Sequence, residues 1–352
     1  MRIGVPREVK PQEARVALIP QACSDLTRSG HRVLVETGAG EGSGYSDNRY
    51  LEAGAVVLAD AASLYAEAEL VVKVKEPWGT ELDLLRPEHL LFSFLHLAAN
   101  PELQRRLLDI GLTAIGFETV EDAGRLPILA PMSYIAGCLA VQYGTTLLYR
   151  PNGGKGVLLG GLPAAEPGQV VVLGAGNAGS AAVRMAAATG ARVTVFDLDV
   201  EKLAAMRAVG PNVTGLYPWG DSLAEAVAGA DLLIGAVLVP GAKAPRLISV
   251  DQVASMAPGS VIADIAVDQG GCVETTHPTT YEHPTYLVHD VVHFAVTNMP
   301  GAVPRSASDA LCSSLYPWLV RLAQPDWRSD PSLAGAVNLD RGNLVHPALR
   351  AE

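Results

Sequence analysis

The sequence predicts an α/β fold built as two Rossmann-like, doubly wound domains. Three observations carry that expectation. The stretch Gln169-Val-Val-Val-Leu-Gly174-Ala-Gly176-Asn-Ala-Gly179 reads as a buried strand, a Gly-x-Gly-x-x-Gly turn and an alanine-rich helix. At 352 residues the chain exceeds what one hydrophobic core usually serves, so two domains of roughly 150 to 200 residues each are expected. Upstream of the glycine turn, strand-like and helical segments alternate in the manner of a parallel sheet with crossovers.

The upstream elements come in order. Apolar runs predict strands at Arg2–Val5, Arg32–Glu36, 70–75, 90–96 and 112–118, with helices at 20–29, Ala61–Glu67 and 101–109 between them. A charge-free run at 126–149 is long enough to raise the question of a membrane span. Pro127, Pro131, Ser133, Gly137, Gln142, Gly144, Thr145 and Thr146 make it too polar and interrupted, so 133–149 reads as a buried interdomain helix. A glycine-rich connector, Gly153-Gly-Lys-Gly-Val-Leu-Leu-Gly-Gly, follows; it lacks the Gly-Lys-Ser/Thr order of a P-loop, and close backbone packing accounts for its glycines.

In the glycine turn, the first glycine permits the bend, the second lets backbone N–H groups approach a pyrophosphate, and the third lets helix 177–189 pack on its strand. The next strand, 191–197, ends in Asp197, where an acid binds an adenosine ribose. Asp197 would repel a 2′-phosphate, so the cofactor expected is NAD, not NADP. Further strands are expected at 231–237, Val261–Asp264 and 291–296, then a returning helix at 306–322. The last thirty or so residues show little periodicity and read as a surface tail. Domain boundaries are expected at 1–128 with about 305–352 for a substrate and catalytic domain, and 129–304 for the nucleotide domain, with the active site in the cleft between.

Composition narrows the partners. Lys plus Arg number 26 against 37 Asp plus Glu, a net charge of −11 with no basic cluster, which disfavours nucleic acid and anionic membranes. Cys23, Cys138, Cys272 and Cys312 lie far apart with no Cys-x-x-Cys pair, which suits reduced thiols in a cytoplasm better than a zinc site or a disulfide framework. His283, His289 and His293 straddle prolines and read as solvated or packing residues; no metal is expected.

Ligands of open α/β sheets bind beyond the carboxyl ends of strands, so polar groups there are the candidates. Lys75 and His96 end two strands of the first domain, Asp268 follows Asp264-Ile-Ala-Val in the second, and Asn298 ends the last strand. Each admits a bland alternative: Lys75 paired with Glu76, His96 a satisfied core imidazole, Asp268 the cap of the Gln-Gly-Gly turn.

These residues sit in longer runs that resemble the alanine dehydrogenase family, which is related to the nucleotide-binding subunit of proton-translocating transhydrogenase and to lysine-forming saccharopine dehydrogenases. The likeness runs from Met1 to about Ala323. It rests on Gly4-Val-Pro-Arg-Glu with Arg15-Val-Ala, Gly38-Ala-Gly-Glu-Gly-Ser-Gly, Lys73-Val-Lys-Glu-Pro, Phe94-Leu-His-Leu-Ala-Ala and Ala130-Pro-Met-Ser. It continues through Leu233-Ile-Gly-Ala-Val-Leu-Val-Pro-Gly-Ala-Lys-Ala-Pro, Asp264-Ile-Ala-Val-Asp-Gln-Gly-Gly-Cys and Asn298-Met-Pro-Gly-Ala-Val-Pro.

The resemblance implies an NAD-dependent L-alanine dehydrogenase that interconverts L-alanine with pyruvate and ammonium. It implies His96 as acid/base, Asp268 as second catalytic group, and Arg15 and Lys75 as holders of the substrate carboxylate and its carbonyl or amine. NAD would be lined by Ser133, Gly174, Gly176, Asn177, Ala178, Gly179, Asp197, Lys202, Val237, Leu238, Ile265, Asp268, Val296, Asn298 and Met299. A cytoplasmic homohexamer is implied as well. The chain departs from the family pattern at Cys138, Tyr134, Pro218 and the segment from Arg305. An amino-acid dehydrogenase or imine reductase with a different side-chain pocket, and a catalytically silent NAD-binding homologue, stay open as alternatives.

Overall fold

The computed structural model describes residues 1–237 and 244–350. The chain divides into two compact units, Met1–Met132 with Val303–Glu352, and Ser133–Ala302. Unit 1 opens with β1 (Arg2–Val5), α1 (Pro20–Arg28), β2 (Arg32–Glu36), α2 (Asp47–Glu52), β3 (Val56–Leu58) and α3 (Ala61–Glu67). It continues with β4 (Leu70–Val72), α4 (Glu81–Leu84), β5 (Leu90–Ser93), α5 (Pro101–Ile110) and β6 (Thr113–Gly116). The unit boundary falls inside α6 (Ala130–Leu147).

Unit 2 then runs β7 (Gln169–Leu173), α7 (Asn177–Ala188), β8 (Arg192–Phe196), α8 (Val200–Arg207), β9 (Val213–Leu216) and α9 (Gly220–Ala228). After these come β10 (Leu232–Gly235), α10 (Val250–Ala254), β11 (Val261–Asp264), β12 (Thr285–Val288) and β13 (Val291–Phe294). The chain rejoins unit 1 through α11 (Pro304–Leu322), α12 (Pro331–Gly335), β14 (Val337–Asp340) and β15 (Asn343–Leu344).

Among the described residues, unit 1 holds an eight-stranded sheet in the order β15-β14-β6-β5-β4-β1-β2-β3. Strands β1 to β6 pair in parallel, and β14 is antiparallel to β6. The strand order reverses between β1 and β4, which places a switch point at their carboxyl ends. Unit 2 holds a seven-stranded sheet in the order β12-β13-β11-β10-β7-β8-β9, with its switch point between β7 and β10. Strands β4, β10, β11 and β13 are buried throughout, as expected of sheets covered on both faces.

Local chemistry accounts for the element ends. Helix α5 starts where Asn100 accepts the Leu103 N–H at 3.1 Å and Pro101 presets the first turn, and it stops at Gly111 in the left-handed region. Leu103 and Leu107, four apart, face the core. The Ser249 and Gln252 side chains close a reciprocal capping box at the start of α10. Among the described residues, no helix is long and apolar enough to cross a membrane.

Two differences from the sequence reading matter. The strands expected at 70–75 and 90–96 stop at Val72 and Ser93; the Lys73 and Phe94 amides still bond the Phe92 and Val74 carbonyls, and the amides beyond them are taken by carboxylates from elsewhere in unit 1, as described below. The expected surface tail is instead part of the sheet. Val337, Asn338 and Leu339 are buried in β14, and Leu339 packs with Leu91, Leu107 and Ala114 in one core cluster. The tail looked aperiodic because its strand is only four residues long and its partner lies more than 200 positions earlier. Leu339→Ala should therefore cost about 2–5 kcal/mol, read as a lowered urea midpoint for unit 1; an unshifted midpoint would place the residue outside the core.

Candidate functional site

The functional candidates of unit 1 follow three adjacent strands, β1, β4 and β5. Beyond β4, the N–H groups of Val74 and Lys75 point to the Glu8 carboxylate, at 2.6 Å to Oε1 and 3.3 Å to Oε2. Lys75 itself is half-buried, and its neighbour Glu76 takes Lys10 as ion-pair partner. Beyond β5, the N–H groups of Leu95 and His96 are held by Glu118, with 2.7 Å between His96 N and Oε1. This turns the backbone at His96 into the left-handed region, φ +47°, and leaves the residue exposed, with its ring stacked on Phe94 at 5.7 Å. The bland reading of His96 as a core histidine therefore does not apply.

Arg15 lies in the connection between β1 and α1 and is buried. Its guanidinium is gripped from the side by Glu13, Nε to Oε1 at 2.7 Å and Nη2 to Oε2 at 2.5 Å, and Nη1 lies 3.3 Å from Met132 Sδ. The fork that the sequence offers to a ligand carboxylate is thus engaged within unit 1, which fixes the plane of the guanidinium.

Sequence reasoning passed over Glu8, Glu13 and Glu118. The signal was available for two of them. Glu8 stands three residues past β1 inside a run already singled out, and Glu118 closes the segment expected as the strand at 112–118. What the sequence did not disclose is that each would serve amides of a different strand.

In unit 2 the glycine turn has the geometry of an anion cradle. Gly174 sits at φ +93°, a Cβ on Gly179 would lie 1.8 Å from the Gly174 carbonyl oxygen, and a Cβ on Gly176 would meet nothing within 4 Å. The first and third positions thus require glycine, and the second keeps open the space in front of the α7 amino terminus. Asn177 and Ala178 form the first turn of α7.

Asp197 directly follows β8, accepting the Ala175 N–H at 2.6 Å and the Asp199 N–H at 2.9 Å. It therefore shapes the glycine turn while staying partly exposed. Lys202 is exposed on α8, with its ammonium 3.7 Å from Asp199. Ser133 is half-buried in α6, Val237 is half-buried just past β10, and Leu238 lies outside the described residues.

Asp268 is exposed on a short 3-10 turn, Ile265–Gln269, directly after β11. That turn hangs on the fully buried Asp264, which accepts N–H groups from Ala266 at 3.0 Å, Cys272 at 3.0 Å and Val273 at 3.2 Å. Burial raises the Asp264 carboxyl above the usual range, with the Cys272 and Val273 amides opposing it. Past β13, Val296 and Met299 are buried, and the Met299 carbonyl accepts the Tyr281 hydroxyl at 2.7 Å; Asn298 between them adopts φ +61°. His293 has a packing role, with Nε2 2.7 Å from the Thr275 hydroxyl and Nδ1 3.0 Å from the Val291 carbonyl.

Comparison with known proteins places this geometry among relatives. Residues 4–136 match the model "Alanine dehydrogenase/PNT, N-terminal domain", and residues 140–347 the corresponding C-terminal domain. The chain is 48% identical over 351 residues to an alanine dehydrogenase of Mycobacterium tuberculosis, covering 98% of this chain and 95% of that protein. It is 46% identical to an alanine dehydrogenase of Bacillus subtilis, covering 99% of this chain and 94% of that one. A solved L-alanine dehydrogenase superposes with a TM-score of 0.95 at 50% identity, over 99% of this chain and 98% of that one. A transhydrogenase from Sinorhizobium meliloti superposes at 0.85 with 27% identity, over 99% of this chain and 100% of that one.

The tight contact at Gly179 yields a direct check on the cradle. Gly179→Ala should weaken dinucleotide binding by about tenfold or more, since the turn must open to admit the methyl group. Fluorescence titration with NADH reads this, and unaltered binding would mean the turn does not hold the pyrophosphate.

Proposed function

The chain belongs to the alanine dehydrogenase/PNT family, and from that premise we propose that it is an NAD-dependent L-alanine dehydrogenase, converting L-alanine and water to pyruvate and ammonium and the reverse. The observation that carries the reading is the placement of Arg15, Lys75 and His96 beyond the carboxyl ends of β1, β4 and β5, three strands adjacent in one sheet and spanning its switch point.

The residues present fit the cofactor. Gly174, Gly176 and Gly179 with the first turn of α7 would hold the pyrophosphate, and Asp197 the ribose. Ser133, Lys202, Val237, Leu238, Ile265, Asp268, Val296, Asn298 and Met299 would complete the surroundings. When bound, NAD accepts the hydride from the substrate Cα. Asp197 supports NAD over NADP because, in the ribose-binding role proposed for it, its carboxylate would repel the added negative charge of a 2′-phosphate.

The chain's own groups account for the rest of the chemistry. Arg15 and Lys75 supply positive charge for the substrate carboxylate and carbonyl. Removing hydride from the amine carbon leaves a cationic iminium, which the Asp268 carboxylate favours. Water must then add and ammonia depart, and each step moves a proton. The His96 imidazole is suited to take the proton from the attacking water and return it to the leaving nitrogen. A cytoplasmic homohexamer belongs to the same reading and is supported by family membership alone.

The test is to assay pyruvate, 2-oxobutyrate, glyoxylate and cyclic imines with ammonium and NADH. Pyruvate should be the best of them; preference for a cyclic imine would move the assignment to an imine reductase, and NADH binding without turnover to a silent homologue. His96→Ala and Asp268→Asn should each lose about 10²- to 10⁴-fold in kcat while still binding NADH, and near-wild-type turnover in either would overturn its role. Asp197→Ala should weaken NAD and improve NADP; unchanged selectivity would show that the ribose acid lies elsewhere.

A further inference from the structure

Glu8 takes no part in the reaction as written, yet its placement ties it to a substrate-binding group. Its side chain is only 3% exposed. One oxygen accepts the Val74 N–H at 2.6 Å, and the other accepts the Lys75 N–H at 3.3 Å. That second oxygen also lies 3.3 Å from the ammonium of Lys73, a side chain with no exposure at all. Lys73 in turn is 2.7 Å from Glu81 of α4, whose carboxylate further accepts the Tyr65 hydroxyl at 3.0 Å and the Trp78 N–H at 2.9 Å. Glu13, already paired with Arg15, is a further carboxylate that acts on Glu8.

We propose that Glu8 is a positioning residue for substrate binding: by gripping the two amides that lead into Lys75 it sets where the Lys75 ammonium stands, and its ionisation governs that grip. The inference rests on the assignment of Lys75 to the substrate. The carboxylate reaches back from the β1 connection to the amides that follow a different strand, so the position of Lys75 depends on Glu8 as well as on the backbone bond from the Phe94 N–H to the Val74 carbonyl at 3.1 Å. Deprotonated, Glu8 offers acceptors to two N–H groups and an ammonium. Protonation replaces one of those lone pairs with an O–H, a donor facing donors.

Burial, opposed by the charge of Lys73 and reinforced by Glu81 and Glu13, raises the Glu8 carboxyl to about 7. The grip is therefore complete above that pH and is lost as the pH falls through it.

The test compares wild type with Glu8→Gln. At about pH 8, where wild-type Glu8 is ionised, the variant should raise the Michaelis constant for pyruvate by about tenfold or more, the scale of one hydrogen bond to a charged group, with kcat changed much less. At about pH 6 the two proteins should converge, because wild type has by then lost the same charge. Groups common to both proteins cancel from the ratio. Glu8→Asp, which keeps the charge on a shorter arm, should restore the pH dependence of the Michaelis constant itself, so that its ratio to wild type changes little between about pH 6 and 8, and it carries the comparison alone if Glu8→Gln does not fold. A folded variant, shown by intact NADH binding, with a wild-type constant for pyruvate at pH 8 would overturn the proposal.

Amide hydrogen exchange at Val74 and Lys75 provides an arm that needs no turnover. Protection should fall in wild type as the pH drops below about 7, after correction for intrinsic rates, and should be lost at all pH values in Glu8→Gln. If wild type fails to use pyruvate, the dehydrogenase reading fails by itself. Protection indifferent to Glu8 would still refute the positioning role.

Discussion

A parallel strand that stops leaves its next amides without ladder partners, and this protein meets that constraint with carboxylates. Glu8 serves the amides after β4, Glu118 those after β5, Asp197 one in the glycine turn after β7, and Asp264 those around the turn after β11. In each case a buried or partly buried N–H finds a charged acceptor, a stronger bond than a neutral one. In each case, too, the held backbone carries a candidate functional group: Lys75, His96, the phosphate cradle, Asp268. The strand ends are where the open sheet can receive ligands, and the carboxylates make those ends rigid enough to do so.

Such an arrangement gathers charge in places where charge is costly. Glu8, Lys73 and Glu81 form one buried chain of alternating sign, and Glu13 with Arg15 a second pair, all within unit 1. Burying ions is seldom a net gain over well-packed apolar groups, whereas removing one partner from an existing pair is severely destabilising. The network is thus better understood as holding geometry than as adding stability. It fixes the plane of Arg15 and the approach to Lys75, the two cations proposed to hold the substrate.

How far the sequence disclosed this follows from the distance over which each feature is determined. Strands β1 and β2 and helix α3 were legible to the residue, because their signals are local periodicity and turn chemistry. The glycine turn and Asp197 were legible because strand, turn, helix and acid lie within thirty residues. The ends of β4 and β5 were misjudged by three residues, since the carboxylates that capture their amides come from 66 and 22 positions away. The alternation Val337-Asn-Leu-Asp340 was a true strand signal, but too short to stand out without its partner β6. Glu8 and Glu118 were marked only by their place in runs already singled out near strand ends, and nothing local showed that they would serve amides of other strands.

Strand β14 also bears on the order in which the chain can be completed. Unit 2 is continuous in sequence, whereas the sheet of unit 1 needs residues that follow the whole of unit 2 to cover the outer edge of β6. During synthesis unit 2 can close while that edge still presents a row of unpaired backbone groups, an invitation to pair with another nascent chain. The last turn of construction is a long-range antiparallel pairing, so the vulnerable interval is set by the ribosome's progress through the 220 residues between β6 and β14 more than by the intrinsic speed of either sheet.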